Sequence, residues 1–177
     1  MKTRREVLQA LIVSVGGASM LTACGGVSSV ISSARDAPFG RFYDEQEMAL
    51  VSKISNLLIP RTDTPGALDV NVPGLLDGLM AEWASEETQR SHHQVLARLE
   101  LELDNRAGGG FVQVSDAEAE QALSDLDAAA FLVRDGYEGY RNFKGLVSQA
   151  YFTTEQGALQ EQGWVAVPGR WDPCVEL

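Results

Sequence analysis

Apolar residues recur along most of this chain at intervals of three and four, and short runs of Gly, Pro, Ser, Asn and Asp separate the stretches that do so. Leu50, Val51, Ile54, Leu57 and Leu58 form the first such stripe. Asp44 with Glu47 three residues on is a capping box that predicts its start, and Pro60 its stop. A second stripe, Val72, Leu75, Leu76, Leu79, Met80 and Trp83, comes after Asn71 and Pro73, which suit a helix start. Ser85 with Glu86 and Glu87 opens a third helix, whose apolar positions Val95, Leu96, Leu99 and Leu103 run up to the Gly108-Gly109-Gly110 turn.

Phe111-Val112-Gln113-Val114 suggests a short extended piece, and Ser115 with Glu118 predicts another capped helix with Ala119, Ala122, Leu123 and Leu126 on a thin apolar face. Helical pattern continues from Ala128 to Val133, breaks near Asp135-Gly136, and resumes from Tyr137 to Phe152 with Tyr140, Phe143, Val147, Ala150 and Tyr151 inward. No alternating run of useful length and no internal repeat interrupts the series. The expected class is all-α, an irregular bundle of about five or six helices.

Both ends depart from this pattern. At the C-terminus, Thr153 to Leu159 allows a capped turn of helix at most. Residues 164–174 then read as an extended tail containing Trp164, Trp171, Pro168 and Pro173. Such a tail lies across something apolar, either its own bundle or a partner, and aromatic residues and Arg are enriched in interface cores. The candidate partner interface is Tyr151, Phe152, Trp164, Arg170, Trp171 and Cys174.

At the N-terminus, residues 1–23 combine a charged start with Arg4-Arg5, a weakly apolar segment interrupted by Gly16 and Gly17, and a small-residue site leading to Cys24, which is the layout of an export signal. The paired arginines resemble a twin-arginine signal, which hands folded proteins to the translocase, although Val7 and Gln9 replace a common Phe and Lys. Ordinary secretory export and a retained anchor are the alternatives, the latter at the short edge of a spanning length. Leu21-Thr22-Ala23-Cys24 resembles the lipobox of bacterial lipoproteins, which implies lipid on Cys24 as the mature N-terminus. Gly25 stands where an Asp would favour retention at the inner membrane, so the destination membrane stays open. The resulting expectation is a lipid-anchored protein on the periplasmic side of the envelope. The Ser- and Gly-rich residues 24–41 read as a flexible tether to a domain at 42–177.

The chain has 177 residues, with 14 Lys plus Arg against 25 Asp plus Glu for a net charge of −11. Removal of residues 1–23 takes three cations and one Glu, leaving 11 against 24, a net charge of −13 on one domain-sized chain. Such acidity argues against nucleic-acid binding and against electrostatic adhesion to an anionic bilayer. Lipid would then do the anchoring. Of the two cysteines, Cys24 is the lipidation candidate, which leaves Cys174 as a buried thiol or a bond to a partner chain.

Motifs for chemistry are sparse. His92 and His93 are adjacent on a helix, diverge by about 100°, and suit a surface pair rather than a metal face. Gly108 to Gly110 lacks the Lys-Ser/Thr of a phosphate loop, and no dinucleotide fingerprint, nucleophile elbow or c-type haem motif occurs. Glu100, Glu102 and Asp104, like Asp116, Glu118 and Glu120, read as solvated faces. No catalytic, cofactor-binding or metal residues are expected in this chain.

Three stretches carry a family resemblance: Asn56-Leu57-Leu58-Ile59-Pro60-Arg61-Thr62-Asp63-Thr64-Pro65-Gly66-Ala67, Gln149-Ala150-Tyr151-Phe152-Thr153-Thr154-Glu155-Gln156-Gly157-Ala158, and Val167-Pro168-Gly169-Arg170-Trp171-Asp172-Pro173-Cys174. With them, residues 42–177 resemble the small subunit, subunit 3, of membrane-bound gluconate 2-dehydrogenase. The resemblance implies a non-catalytic companion for a large flavin-dependent dehydrogenase that oxidises a sugar or sugar acid. FAD would sit in that large subunit and haem c in a cytochrome partner. The small subunit would serve as escort during export, assembly factor and anchor. A free-standing envelope lipoprotein that binds a ligand or another envelope component is the alternative.

Overall fold

The computed structural model describes residues 40–133 and 135–165. The expected export signal with Arg4 and Arg5, the lipidation candidate Cys24, and the interface candidates Arg170, Trp171 and Cys174 lie outside the described residues. Within them the chain is all-helical and contains no strand. Five α-helices, α1 (Glu45–Leu58), α2 (Val72–Glu82), α3 (Glu86–Ala107), α4 (Asp116–Leu132) and α5 (Glu138–Phe152), precede a π-helical turn at Gly157–Glu161.

Their boundaries reflect local chemistry. Asp44 and Ser115 cap α1 and α4 with reciprocal capping boxes to Glu47 and Glu118, and Ser85 caps α3 through Thr88 N–H. Asn71 adopts a left-handed backbone with φ 53° and accepts from Gly74 N–H at 3.3 Å, which starts α2. The helix α3 ends at Gly108 in the left-handed region, φ 69°, as a C-terminal glycine cap requires.

The most extensive helix pairing is α3 with α4, while α1 and α5 each pack on α2, α3 and α4. One core results. Leu50, Val51 and Ile54 of α1 meet Val72 and Leu76 of α2, Leu96, Leu99 and Leu103 of α3, Leu123 and Leu126 of α4, and Tyr140, Phe143, Val147 and Tyr151 of α5. Each fully buried large apolar side chain contributes about 1.5–3 kcal/mol relative to exposure.

Three expectations change. Residues 111–114 are a tight turn, not an extended piece: the amides of Gln113 and Val114 both donate to Gly110 O, and Phe111 is fully buried. Trp83 leaves the α2 stripe, because the helix ends at Glu82 and the indole is 66% exposed. The histidines are not a free surface pair. His92 Nε2 lies 2.7 Å from Tyr43 OH, while His93 Nδ1 lies 2.5 Å from Glu47 Oε1 and its ring stacks on Phe42.

These contacts fasten the segment preceding α1. Asp77, buried within α2, accepts from the backbone amides of Arg41, Phe42 and Tyr43 at 2.7, 2.9 and 2.8 Å. A buried carboxylate without such donors would carry a large desolvation cost, so this one holds the beginning of the domain against α2. Burial lowers the pKa of His92 and nearby His93 lowers it further, against a smaller upward pull from Glu47.

Candidate interaction surface

Two of the segments that distinguish the sequence, residues 56–67 and 149–158, meet at the end of α5. The first is a closed loop. Ala67 N–H returns to Ile59 O at 2.8 Å, and Asp69 accepts from Gly66 N–H at 2.8 Å and from Arg61 Nε at 2.9 Å. Gly66 is required there by close approach, since a β-carbon would lie 2.6 Å from Arg61 N and 2.8 Å from Pro60 C.

Across from this loop, Tyr151 donates its hydroxyl to Pro65 O at 2.7 Å, and Thr64 bonds Glu161 of the π-helical turn. Burial, and then the neighbouring Glu161 carboxylate, raise the Tyr151 pKa and keep it a neutral donor. Beyond α5 the backbone is stapled by Thr154, whose hydroxyl donates to Tyr151 O at 2.7 Å and accepts from Gly157 N–H at 3.1 Å. At Gly163 the chain takes φ 59° and turns back, so that Trp164 N–H donates to Ala158 O at 2.9 Å.

This framework leaves one side apolar and open. Phe152, Thr153, Thr154, Glu155, Ala158, Leu159, Gln162 and Trp164 line a groove of about 690 Å³. Within it Phe152, Leu159 and Trp164 are 38, 49 and 56% exposed, and Val165 comes next at 62%. Of the candidate interface residues, the structure thus brings Phe152 and Trp164 together at one surface. Tyr151 is placed elsewhere. It is 2% exposed and faces the core, so it supports the surface from behind and does not belong to it.

Leu159 and Val165 complete the patch, and sequence reasoning misses both. Their signal is weak because a single apolar residue in a polar stretch has no periodicity to report its side. A second exposed apolar set, Phe131, Leu132 and Val133, closes α4, with Lys144 Nζ 5.2 Å from the Phe131 ring centre. A more polar groove of about 470 Å³ runs between α3 and α5, lined in part by Ser91, Gln94, Arg98, Glu102 and Tyr137.

The carboxylates expected to be solvated divide. Asp116, Glu118 and Glu120 are exposed, but Asp104 accepts from Phe111 N–H, Glu102 pairs with Arg106, and Glu100 accepts from Gln46. Among the described residues, no group of three or more His, Cys, Asp or Glu is placed to hold a metal ion, and no helix is long and apolar enough to cross a membrane.

A small all-helical domain with a rigid loop braced behind an exposed aromatic groove is the class these features define. The family rests on the sequence match: the profile described as gluconate 2-dehydrogenase subunit 3 matches residues 45–169, and the chain belongs to that family. Comparison with curated proteins and with solved structures finds no match.

Proposed function

We propose that this chain is the accessory small subunit of a sugar or sugar-acid dehydrogenase complex of the gluconate 2-dehydrogenase type, and that it docks a large FAD-dependent subunit through the C-terminal surface. The observation that carries the reading is the family match over residues 45–169, which includes both segments that meet behind the groove. Oxidation of the substrate and storage of its electrons belong, in this reading, to the flavin of the large subunit and to the haem c of a cytochrome partner. The small subunit supplies binding, transport and position.

Several features suit that task. The loop at residues 59–69 and the π-helical turn brace the groove, so its aromatic residues are ordered before docking and less side-chain entropy is lost on association. Exposed Trp and Phe are effective anchors because they bury a large area with few rotatable bonds. A stable interface covers at least about 1,000 Å² in total, so the surface extends beyond this groove. The Arg4-Arg5 signal would carry the folded chain, with its flavoprotein bound, through the twin-arginine pathway, and lipid on Cys24 would hold the assembly on the periplasmic side of the envelope.

The test is purification of the tagged full-length protein from membranes. A large polypeptide with a flavin absorbance spectrum is expected to accompany it, and Phe152→Ala with Trp164→Ala is expected to lower its recovery at least tenfold, equivalent to about 1.4 kcal/mol. Recovery of the chain alone from gently solubilised membranes would favour the free-standing lipoprotein instead.

A further inference from the structure

We infer that the hydrogen bond between Tyr43 and His92 is a proton-operated latch: with His92 neutral it holds residues 40–43 on the helices, and a proton added to the ring frees that segment while the helices stay folded. Residues 40–43 lead into α1, and three kinds of contact fasten them. Asp77 accepts from the amides of Arg41, Phe42 and Tyr43. The Phe42 ring stacks on His93 with centroids 4.2 Å apart, and the Tyr43 hydroxyl lies 2.7 Å from His92 Nε2. The last contact has room for one proton and not for two.

Tyr43 is 2% exposed, and burial, then the carboxylates of Asp77 and Glu47, raise its pKa, so the hydroxyl keeps its proton. Among the described residues that hydroxyl has no hydrogen-bond partner besides His92. It therefore donates to Nε2, and the neutral ring carries its own proton on Nδ1. Protonation at Nε2 turns the ring from acceptor to donor. Two protons would then lie between the same two atoms, and the hydroxyl would have to aim its own at a buried side with no acceptor. That cost falls on the closed segment alone, since both groups reach water once the segment leaves. Solvent has a route to the ring: His92 is half-buried and lines a groove of about 500 Å³ between α2, α3 and α5. Ionisable groups face it from several sides. Tyr43 and Glu47 do so from the segment and α1, and His93 and Glu87 from α3; α2 presents Met80 to the groove and Asp77 to the segment, while α5 presents only Asn142 and Phe143. His93 opposes a second positive charge, and Glu47, already 2.5 Å from His93 Nδ1, gives the smaller pull in the other direction. With the segment open and the ring in water, His92 takes up its proton near the ordinary 6.5; with the segment closed, it does so lower. Closure is therefore complete above the higher value and weakens as pH falls toward the lower one, by up to about tenfold per pH unit.

The latch is independent of the docking proposal, and its experiment uses the full-length chain by itself. Hydrogen exchange is followed from about pH 8 to about pH 4.5, above the ordinary carboxylate range, and expressed as protection relative to the intrinsic rate at each pH. The His92 midpoint is read from its ring signals by NMR. Protection of the Arg41, Phe42 and Tyr43 amides is expected to fall by up to about tenfold per pH unit below 6.5, while the amides of Leu96 and Leu99 in α3 keep theirs. Tyr43→Phe keeps the ring and removes the hydroxyl. It is expected to raise the His92 midpoint, because a hydrogen bond to the neutral imidazole is lost, and to flatten the protection profile. His92→Gln supplies a side-chain oxygen that still accepts from Tyr43 and takes up no proton, so the segment is expected to stay protected to the acid end of the range. Protection at residues 41–43 that ignores pH in the unsubstituted chain would overturn the inference, as would a loss shared equally by α3. A loss that persists in His92→Gln would assign the effect to Glu47 or Asp77 instead, and a His92 midpoint unmoved by Tyr43→Phe would show that the hydroxyl does not hold the ring neutral.

Discussion

At Gly157 a β-carbon would sit 2.3 Å from Tyr151 O and 3.0 Å from Tyr151 C, both backbone atoms that cannot rotate away. Its neighbours in sequence suggest only a capped turn of helix. The reason for glycine is the packing of the π-helical turn back on the end of α5, a contact that no local pattern encodes. Gly157→Ala is expected to destabilise the domain by about 1–3 kcal/mol through overpacking, read as a lower midpoint in urea with little change in slope. An unchanged midpoint would mean that the turn shifts freely and does not brace the groove. His92 gives a residue-scale prediction in pH. Its pKa in the folded chain is depressed below the ordinary 6.5, by burial first and by His93 second, so the native state favours the neutral ring. The unfolded chain binds the proton more readily, and stability is therefore complete above the unfolded value and falls as pH drops from there toward the folded one. His92→Gln is expected to flatten that part of the stability profile, measured by urea unfolding across the range; an unaltered slope would assign the loss to other groups.

Helices α1, α3 and α5 are legible in the sequence because each has a polar face to contrast with its buried one, and the ends of α1 and α3 are marked in plain chemistry by Asp44 and Pro60 and by Ser85 and Gly108. Less of α2 can be read. Val72, Pro73, Gly74, Leu76, Asp77, Gly78 and Met80 are all buried, so burial runs most of the way round the helix and a one-sided stripe misassigns Trp83. Nothing local marks Asp77 as buried either. Its role depends on amides 34 to 36 residues earlier in the chain, as the Tyr151 to Pro65 bond depends on a partner 86 residues away. The site is thus legible as two segments with a family likeness and not as one surface. Replacement of Asp77 by Ala leaves three amides of the segment before α1 without their acceptor, at a cost on the order of 3 kcal/mol. Amide exchange at Arg41, Phe42 and Tyr43 is expected to accelerate far more than in α3, with Asp77→Asn intermediate because one acceptor oxygen remains. Equal acceleration throughout the domain would show that Asp77 holds the whole fold rather than the junction with the preceding segment.

For the whole molecule, charge and covalent chemistry separate two steps that the proposed function joins. A net charge of −13 after residue 23 gives the domain no electrostatic attraction to anionic lipid, so attachment in this proposal rests on Cys24. Cys24→Ser is expected to move the protein and its flavoprotein together from the membrane fraction to the soluble periplasmic fraction, with copurification intact; continued membrane attachment would locate the anchor in another subunit. Export is separable through Arg4 and Arg5. Replacing both by Lys preserves the charge and the apolar segment, and therefore ordinary secretory targeting, but removes the planar guanidinium pair that distinguishes the twin-arginine resemblance. If the flavoprotein acquires FAD in the cytoplasm and crosses bound to this chain, Arg4→Lys with Arg5→Lys leaves both polypeptides inside, the larger one folded and flavin-loaded. Periplasmic dehydrogenase activity then falls while total flavoprotein is conserved. Normal export of the large chain in that double variant would separate transport from assembly and leave the small subunit to act only after crossing.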